Sequence, residues 1–192
     1  MEIVESDEDF SSDNSSGCIG DGTIANGWVK PPFGTIKINC DGAWCNRTSV
    51  GGYGWVARDF AGIFKGAGGV GKVFCGSSFM AEAEALRLAV MAAVDRGFHS
   101  VHVETDSKVL VDMVHGKLQP DATMDAILWD INLLQQQVVS LTISYTPRAC
   151  NEAAHLVAAY VTRMGGAYSW DDFEPEWLFN TLASDVNISI RI

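Results

Sequence analysis

The ordered part of the chain opens on strict alternation. In GTIKINCDGAW (residues 34–44), Ile36, Ile38 and Cys40 alternate with Lys37, Asn39 and Asp41, the period of two expected of a half-buried strand. Asp41 closes the polar face at the far end. GGYGWVARDFAGIFKGAGGVGKVF (51–74) holds two β-rich runs split by RDFAG, so a hairpin and three consecutive antiparallel strands are expected. The pattern then changes. SSFMAEAEALRLAVMAAVDRG (77–97) is rich in Ala, Leu and Met, follows serines suited to an N-cap and stops at Gly97, which predicts a long helix. SVHVETD (100–106) is a fourth strand, SKVLVDMVHG (107–116) a short helix between Ser107 and Gly116, and TMDAILWDINLLQQQ (123–137) another helix. VSLTISYTP (139–147) is a fifth strand, and CNEAAHLVAAYVTRMG (150–165) a last helix ending on a Gly pair. The order β-β-β-α-β-α-α-β-α predicts an α/β domain: a mixed five-stranded sheet, three antiparallel strands followed by parallel additions, flanked by helices.

Composition sets the limits of this domain. The 192 residues, 47% hydrophobic with six Trp and nine Phe, suffice for one core. Residues 1–26 are Ser-, Gly- and Asp-rich without periodicity and carry seven acids and no Lys or Arg, which reads as a disordered acidic tail. Residues 27–166 form the domain, and 167–192 a C-terminal extension. The net charge of −11 opposes a nucleic-acid partner. Yet most of the excess lies at the two ends, and residues 27–164 hold twelve acids against twelve bases. Five cysteines without a C-x-x-C pair fit a reduced chain inside the cell, in nucleus or cytoplasm. The start lacks a signal peptide and no apolar run spans a bilayer, so a monomer without membrane association is expected.

Several chemistries fall away on spacing. GAGGVGK (66–72) fits G-x-G-x-x-G and nearly fits a phosphate loop, but Val73 stands where a hydroxyl residue would be needed and no helix opens behind it. A glycine-rich strand approached closely by another backbone or a ligand is preferred. Four histidines in scattered positions make no zinc cage, and no G-x-S-x-G elbow is present. Acids at element ends remain: Asp41 ending the first strand, Glu82 in the opening turn of the long helix, and Asp106 ending the fourth strand, on one face with His102 and Glu104. If the first and fourth strands are neighbours with the helix packed across them, the three converge on a site for a hard cation such as Mg2+. The plainer alternative is a helix dipole and two turn formers.

Four segments in order, WVKPPFGTIKINCDGAW, AEAEAL, VHVETDSKVLV and YTPRACNEAAHLVA, together with the ending FEPEWLFNTLASD, resemble the ribonuclease H type 1 family, and within it the plant reverse-transcriptase-like branch, over roughly residues 28–185. The resemblance implies an RNase H-like fold and a magnesium-dependent endonuclease, a hydrolase cutting the RNA strand of RNA–DNA hybrids, with Mn2+ as a second usable ion. It assigns Asp41, Glu82 and Asp106 as metal ligands, Glu82 being preferred to Glu84, and leaves Glu104 as a supporting or solvent-facing acid. The family's fourth acid is replaced by His155, a poorer partner for Mg2+ than a carboxylate, which implies weakened catalysis. Arg148, Gly42 and Asn151 are expected to contact the nucleic acid. The alternative is a catalytically inactive module of the same fold that binds nucleic acid or a protein partner.

Overall fold

A computed structural model of the chain describes residues 18–20, 23–25 and 27–186; the remainder of the expected acidic tail, and residues 187–192 of the extension, lie outside them. Strands β1 (Cys18–Gly20) and β2 (Thr23–Ala25) pair antiparallel with each other. The main sheet starts with the expected meander of β3 (Ile36–Cys45), β4 (Val50–Arg58) and β5 (Phe64–Phe74). Helix α1 (Ser78–Asp95) begins where Ser77 accepts the Met80 amide at 3.1 Å and ends before Gly97, whose φ of +66° reverses the chain. It carries the chain back to β6 (Ser100–Thr105), parallel to β3. Helices α2 (Lys108–Val114) and α3 (Ala122–Gln135) lead to β7 (Ser140–Tyr145), parallel to β6. A 3-10 turn, Arg148–Cys150, then opens α4 (Glu152–Met164).

The sheet has six strands rather than five, because β8 (Gly166–Trp170) follows the glycine pair and adds antiparallel to β5, giving the order β7-β6-β3-β4-β5-β8. Helix α5 (Glu176–Asp185) completes the fold. One core forms where α1, α2 and α3 cover Ile38, Cys40, Trp55, Val101, Val103 and Ile143; α4 and α5 cover Val56 and Ala67 on the opposite face. Cys40, Cys45 and Cys75 are free thiols, whereas Cys150 is disulfide-bonded, so the expectation of a fully reduced chain fails there. Among the described residues no helix is long and apolar enough to cross a membrane.

The glycine run is explained by helix packing. A Cβ on Gly71 would lie 1.7 Å from the Val161 carbonyl oxygen, and one on Gly54 2.6 Å from a Val157 methyl. Helix α4 therefore rests on bare backbone. Lys72 sits at φ +57° where the β4–β5 register shifts, as the extra residue of a bulge. Gly71→Ala forces backbone against backbone, and a loss of about 3 kcal/mol or more is expected, the upper range for overpacking. Urea unfolding checks it.

Candidate metal centre

Parallel pairing of β3 with β6 builds the centre. The register matches Cys40 with Thr105, so Asp41 and Asp106 follow side by side: Asp106 stands just past the end of β6, whereas Asp41 lies inside β3, which pairs on with β4 as far as Cys45 instead of stopping at Asp41 as expected. Glu82 arrives from α1. A Cβ on Gly42 would lie 2.4 Å from the Ala81 carbonyl carbon, so only glycine lets the first turn of α1 settle on β3 there. The Gly42 amide then donates to Asp41 Oδ1 at 3.0 Å and to Glu82 Oε2 at 3.3 Å. One oxygen each from Asp41, Glu82 and Asp106 lies within 4.8 Å of the others. Glu84 instead pairs with Arg87 on the helix surface.

His155 and Arg148 close the other side. Nδ1 of His155 is 2.8 Å from Asp41 Oδ2. Arg148 donates to Asp106 Oδ2 at 3.1 Å and lies 2.8 Å from His155 Nδ1 and 3.2 Å from Nε2. Arg148 is otherwise exposed, at 57% of its side chain. Asn151 behaves differently from its expected role. It is 1% exposed, donates to the Cys40 carbonyl at 3.0 Å and to Asp106 at 3.5 Å, and accepts from Asn39. No surface of it faces a nucleic acid; it braces the strand ends.

Behind the acids runs a polar network whose burial the period-two pattern did not disclose. Lys37 and Asn39 are buried because the segment around Trp28 together with α4 and α5 covers that face of the sheet. Lys37 donates to Glu104 at 2.5 Å and to the Val29 carbonyl at 2.7 Å. Glu104 is thus a supporting acid, and its second oxygen accepts from Asn39 at 3.1 Å.

A cluster of acids without a counter-charge strains its own ionisation. Burial, then the negative charges of Asp41 and Asp106, push the Glu82 carboxyl up to about 9. Burial and Asp106 raise Asp41 as well, against the opposing pull of His155 and Arg148. A divalent cation fits this donor set: hard oxygens, converging, and held apart from protonation only by positive charge. The stability these raised values confer is complete below the ordinary carboxyl range and is lost as pH rises through about 9. Metal-free protein is therefore expected to melt at progressively lower temperature as pH rises from about 5 to about 9. Glu82→Gln flattens that slope, and Mn2+ raises the melting temperature most at the alkaline end. Thermal melts in chelator and in Mn2+ measure both.

Comparison with known proteins follows the same lines. The sequence profile of the family described as reverse transcriptase-like matches residues 39–161. A protein of Arabidopsis thaliana, provisionally named a ribonuclease H protein, is 24% identical over 165 residues, which cover 86% of this chain. The chain spans only 26% of the length of that relative. Among solved structures, ribonuclease H1 from the archaeon Halobacterium salinarum superposes with a TM-score of 0.61 at 25% identity, over 66% of this chain and 96% of its own. A ribonuclease H1 solved in complex with an RNA/DNA hybrid gives a TM-score of 0.60 at 21% identity, over 67% of this chain and 97% of its own.

Proposed function

Because the chain belongs to the reverse transcriptase-like family and folds as an RNase H-like domain, we propose that it hydrolyses the RNA strand of RNA–DNA hybrids with divalent cations held by Asp41, Glu82 and Asp106. The observation that carries this reading is the meeting of three carboxylate oxygens within 4.8 Å, contributed by β3, the residue after β6 and the first turns of α1. The helix-dipole and turn-former alternative gives no reason for them to meet. When bound, divalent ions supply the charge that activates a water and stabilises the leaving 3′-oxygen. Mg2+ is the expected ion, and Mn2+ the better supported one with an imidazole at the fourth position.

The protein's own groups divide the remaining work. Asp41, deepest of the three, sets the centre of the site and is held by the Gly42 amide and by His155. Arg148 swings from Asp106 to a substrate phosphate, which positions the strand without reading its sequence. With no excess of basic over acidic residues in the domain, binding is expected to be weak and to fall steeply with salt. His155 keeps Asp41 oriented but brings no negative charge of its own, so cleavage is slower than a fourth acid would allow.

The test is incubation of the purified full chain with a labelled RNA–DNA hybrid in Mg2+ and in Mn2+, beside Asp106→Asn. Metal-dependent cleavage of the RNA strand that Asp106→Asn lacks is the expected result. Hybrid binding with no cleavage in either ion would assign the chain to the non-catalytic alternative. Equal cleavage by both proteins would point to a contaminant.

A further inference from the structure

We propose that Asp185, on the C-terminal helix α5, is a positioning residue for the acidic centre and acts on it through Arg58, Asn39 and Asn151. This rests on the reading of Asp41, Glu82 and Asp106 as a metal site. The chain of contacts is continuous. Asp185 Oδ2 accepts from Arg58 at 2.6 Å. Arg58, fully buried on β4, donates to Asn39 Oδ1 at 3.3 Å and stacks its guanidinium 3.8 Å from the Trp28 ring centroid. Asn39 Oδ1 also accepts the Trp28 indole N–H at 2.9 Å, and Asn39 Nδ2 donates to Asn151 Oδ1 at 3.2 Å. Asn151 then grips the carbonyl of Cys40, next to Asp41, and reaches Asp106.

Charge gives the relay its direction. Two acids act on Arg58: Asp185, bonded to it, and Glu104, which already holds Lys37. A buried guanidinium left without its partner is drawn toward the next available carboxylate, because low dielectric magnifies the pull. With Asp185 neutral, that carboxylate is Glu104. Arg58 then shifts along the network, Asn39 loses its fixed acceptor geometry, and Asn151 is released from the end of β3. The amide orientation of Asn39 leaves little freedom in between: its oxygen takes two donors and its nitrogen serves two acceptors, Glu104 and Asn151, which fills its capacity. The extension beyond residue 166 is in this way part of the site's support, although none of its described residues hydrogen-bonds to the acids.

The experiment compares the full chain with Asp185→Asn, which keeps shape and removes charge, and with Trp177→Ala, which loosens the same helix where its ring stacks on Tyr160 at 4.5 Å and leaves the relay alone. Two quantities are read well below each melting temperature: hydrogen exchange of the Asn151 side-chain amide by NMR without metal, and Mn2+ affinity by electron paramagnetic resonance. In Asp185→Asn the amide is expected to exchange about tenfold faster, as a local opening made easier, and Mn2+ to bind roughly tenfold more weakly, because Asn151, the partner that touches Asp106, is the group released. Trp177→Ala should lower the melting temperature and change neither. Unchanged amide exchange in Asp185→Asn overturns the proposal, and so does an equal effect of Trp177→Ala. Faster exchange with undiminished Mn2+ affinity also overturns it, since the relay would then stop short of the acids. If the unmodified chain binds no Mn2+ while the amide responds as expected, the relay to Asn151 stands and the metal reading falls. Should Asp185→Asn not fold, Asp185→Glu keeps the charge but displaces it from its 2.6 Å contact with Arg58, and the same outcomes apply.

Discussion

Asp41→Asn is expected to lower metal-supported hybrid cleavage by a factor on the order of 10^3 while the protein stays folded. The size follows from position. Loss of an outer partner of a metal ligand typically costs 10- to 100-fold, and in the proposed site Asp41 is itself a ligand, buried and beside both of the other acids. The folded state should not suffer equally. Asp41 is raised in pKa by burial and by Asp106, so in the metal-free protein its ionised form is a burden that asparagine removes. Cleavage and stability therefore move in opposite directions: activity vanishes, and the melting temperature in chelator at pH 8 holds or rises. A purely structural role for Asp41 would lower both. Cleavage assays beside thermal melts distinguish the two outcomes.

The second large effect is a gain. His155→Asp is expected to raise Mg2+-supported cleavage about tenfold or more, by supplying a charged oxygen where an imidazole now stands, a donor better matched to a hard ion. The ratio of Mn2+ to Mg2+ activity should fall at the same time. The side chain has the right neighbours for this, since His155 already reaches Asp41 at 2.8 Å and stands beside Arg148. A fourth acid also adds repulsion, so metal-free His155→Asp should melt at lower temperature at pH 8, and Mg2+ should restore it. If Mg2+ activity does not change, His155 does not occupy a ligand position. Steady-state cleavage in each ion, at matched ionic strength, gives the answer.

Much of this was readable before any coordinates. The long helix declared itself through its composition, the serines ahead of it and Gly97 behind it. Of the three acids, Glu82 and Asp106 could be placed at element ends because capping shows where a helix starts and the break before α2 shows where β6 stops; Asp41 could not, because β3 keeps pairing with β4 past it to Cys45. Their convergence needed the parallel pairing of β3 with β6, which a resemblance to a known family could supply and spacing could not. The rest was hidden for identifiable reasons. A period of two tells which residues share a face, not whether a second layer covers it, so Lys37 and Asn39 looked exposed until the Trp28 segment and the helices of the far face were in place. Glu104 is indistinguishable in sequence from a solvent-facing acid; its partner Lys37 is distant along the chain. GAYSW has no alternation strong enough to announce β8, and the glycine pair before it reads equally well as a helix end. Asn151, which the resemblance set against nucleic acid, is buried just ahead of α4 and braces β3 instead.

The most direct test is anomalous diffraction from crystals of the full chain soaked in Mn2+. A peak bound by one oxygen from each of Asp41, Glu82 and Asp106 is the predicted result. Clear density for those three side chains with no peak between them, or with manganese bound only elsewhere, would contradict it.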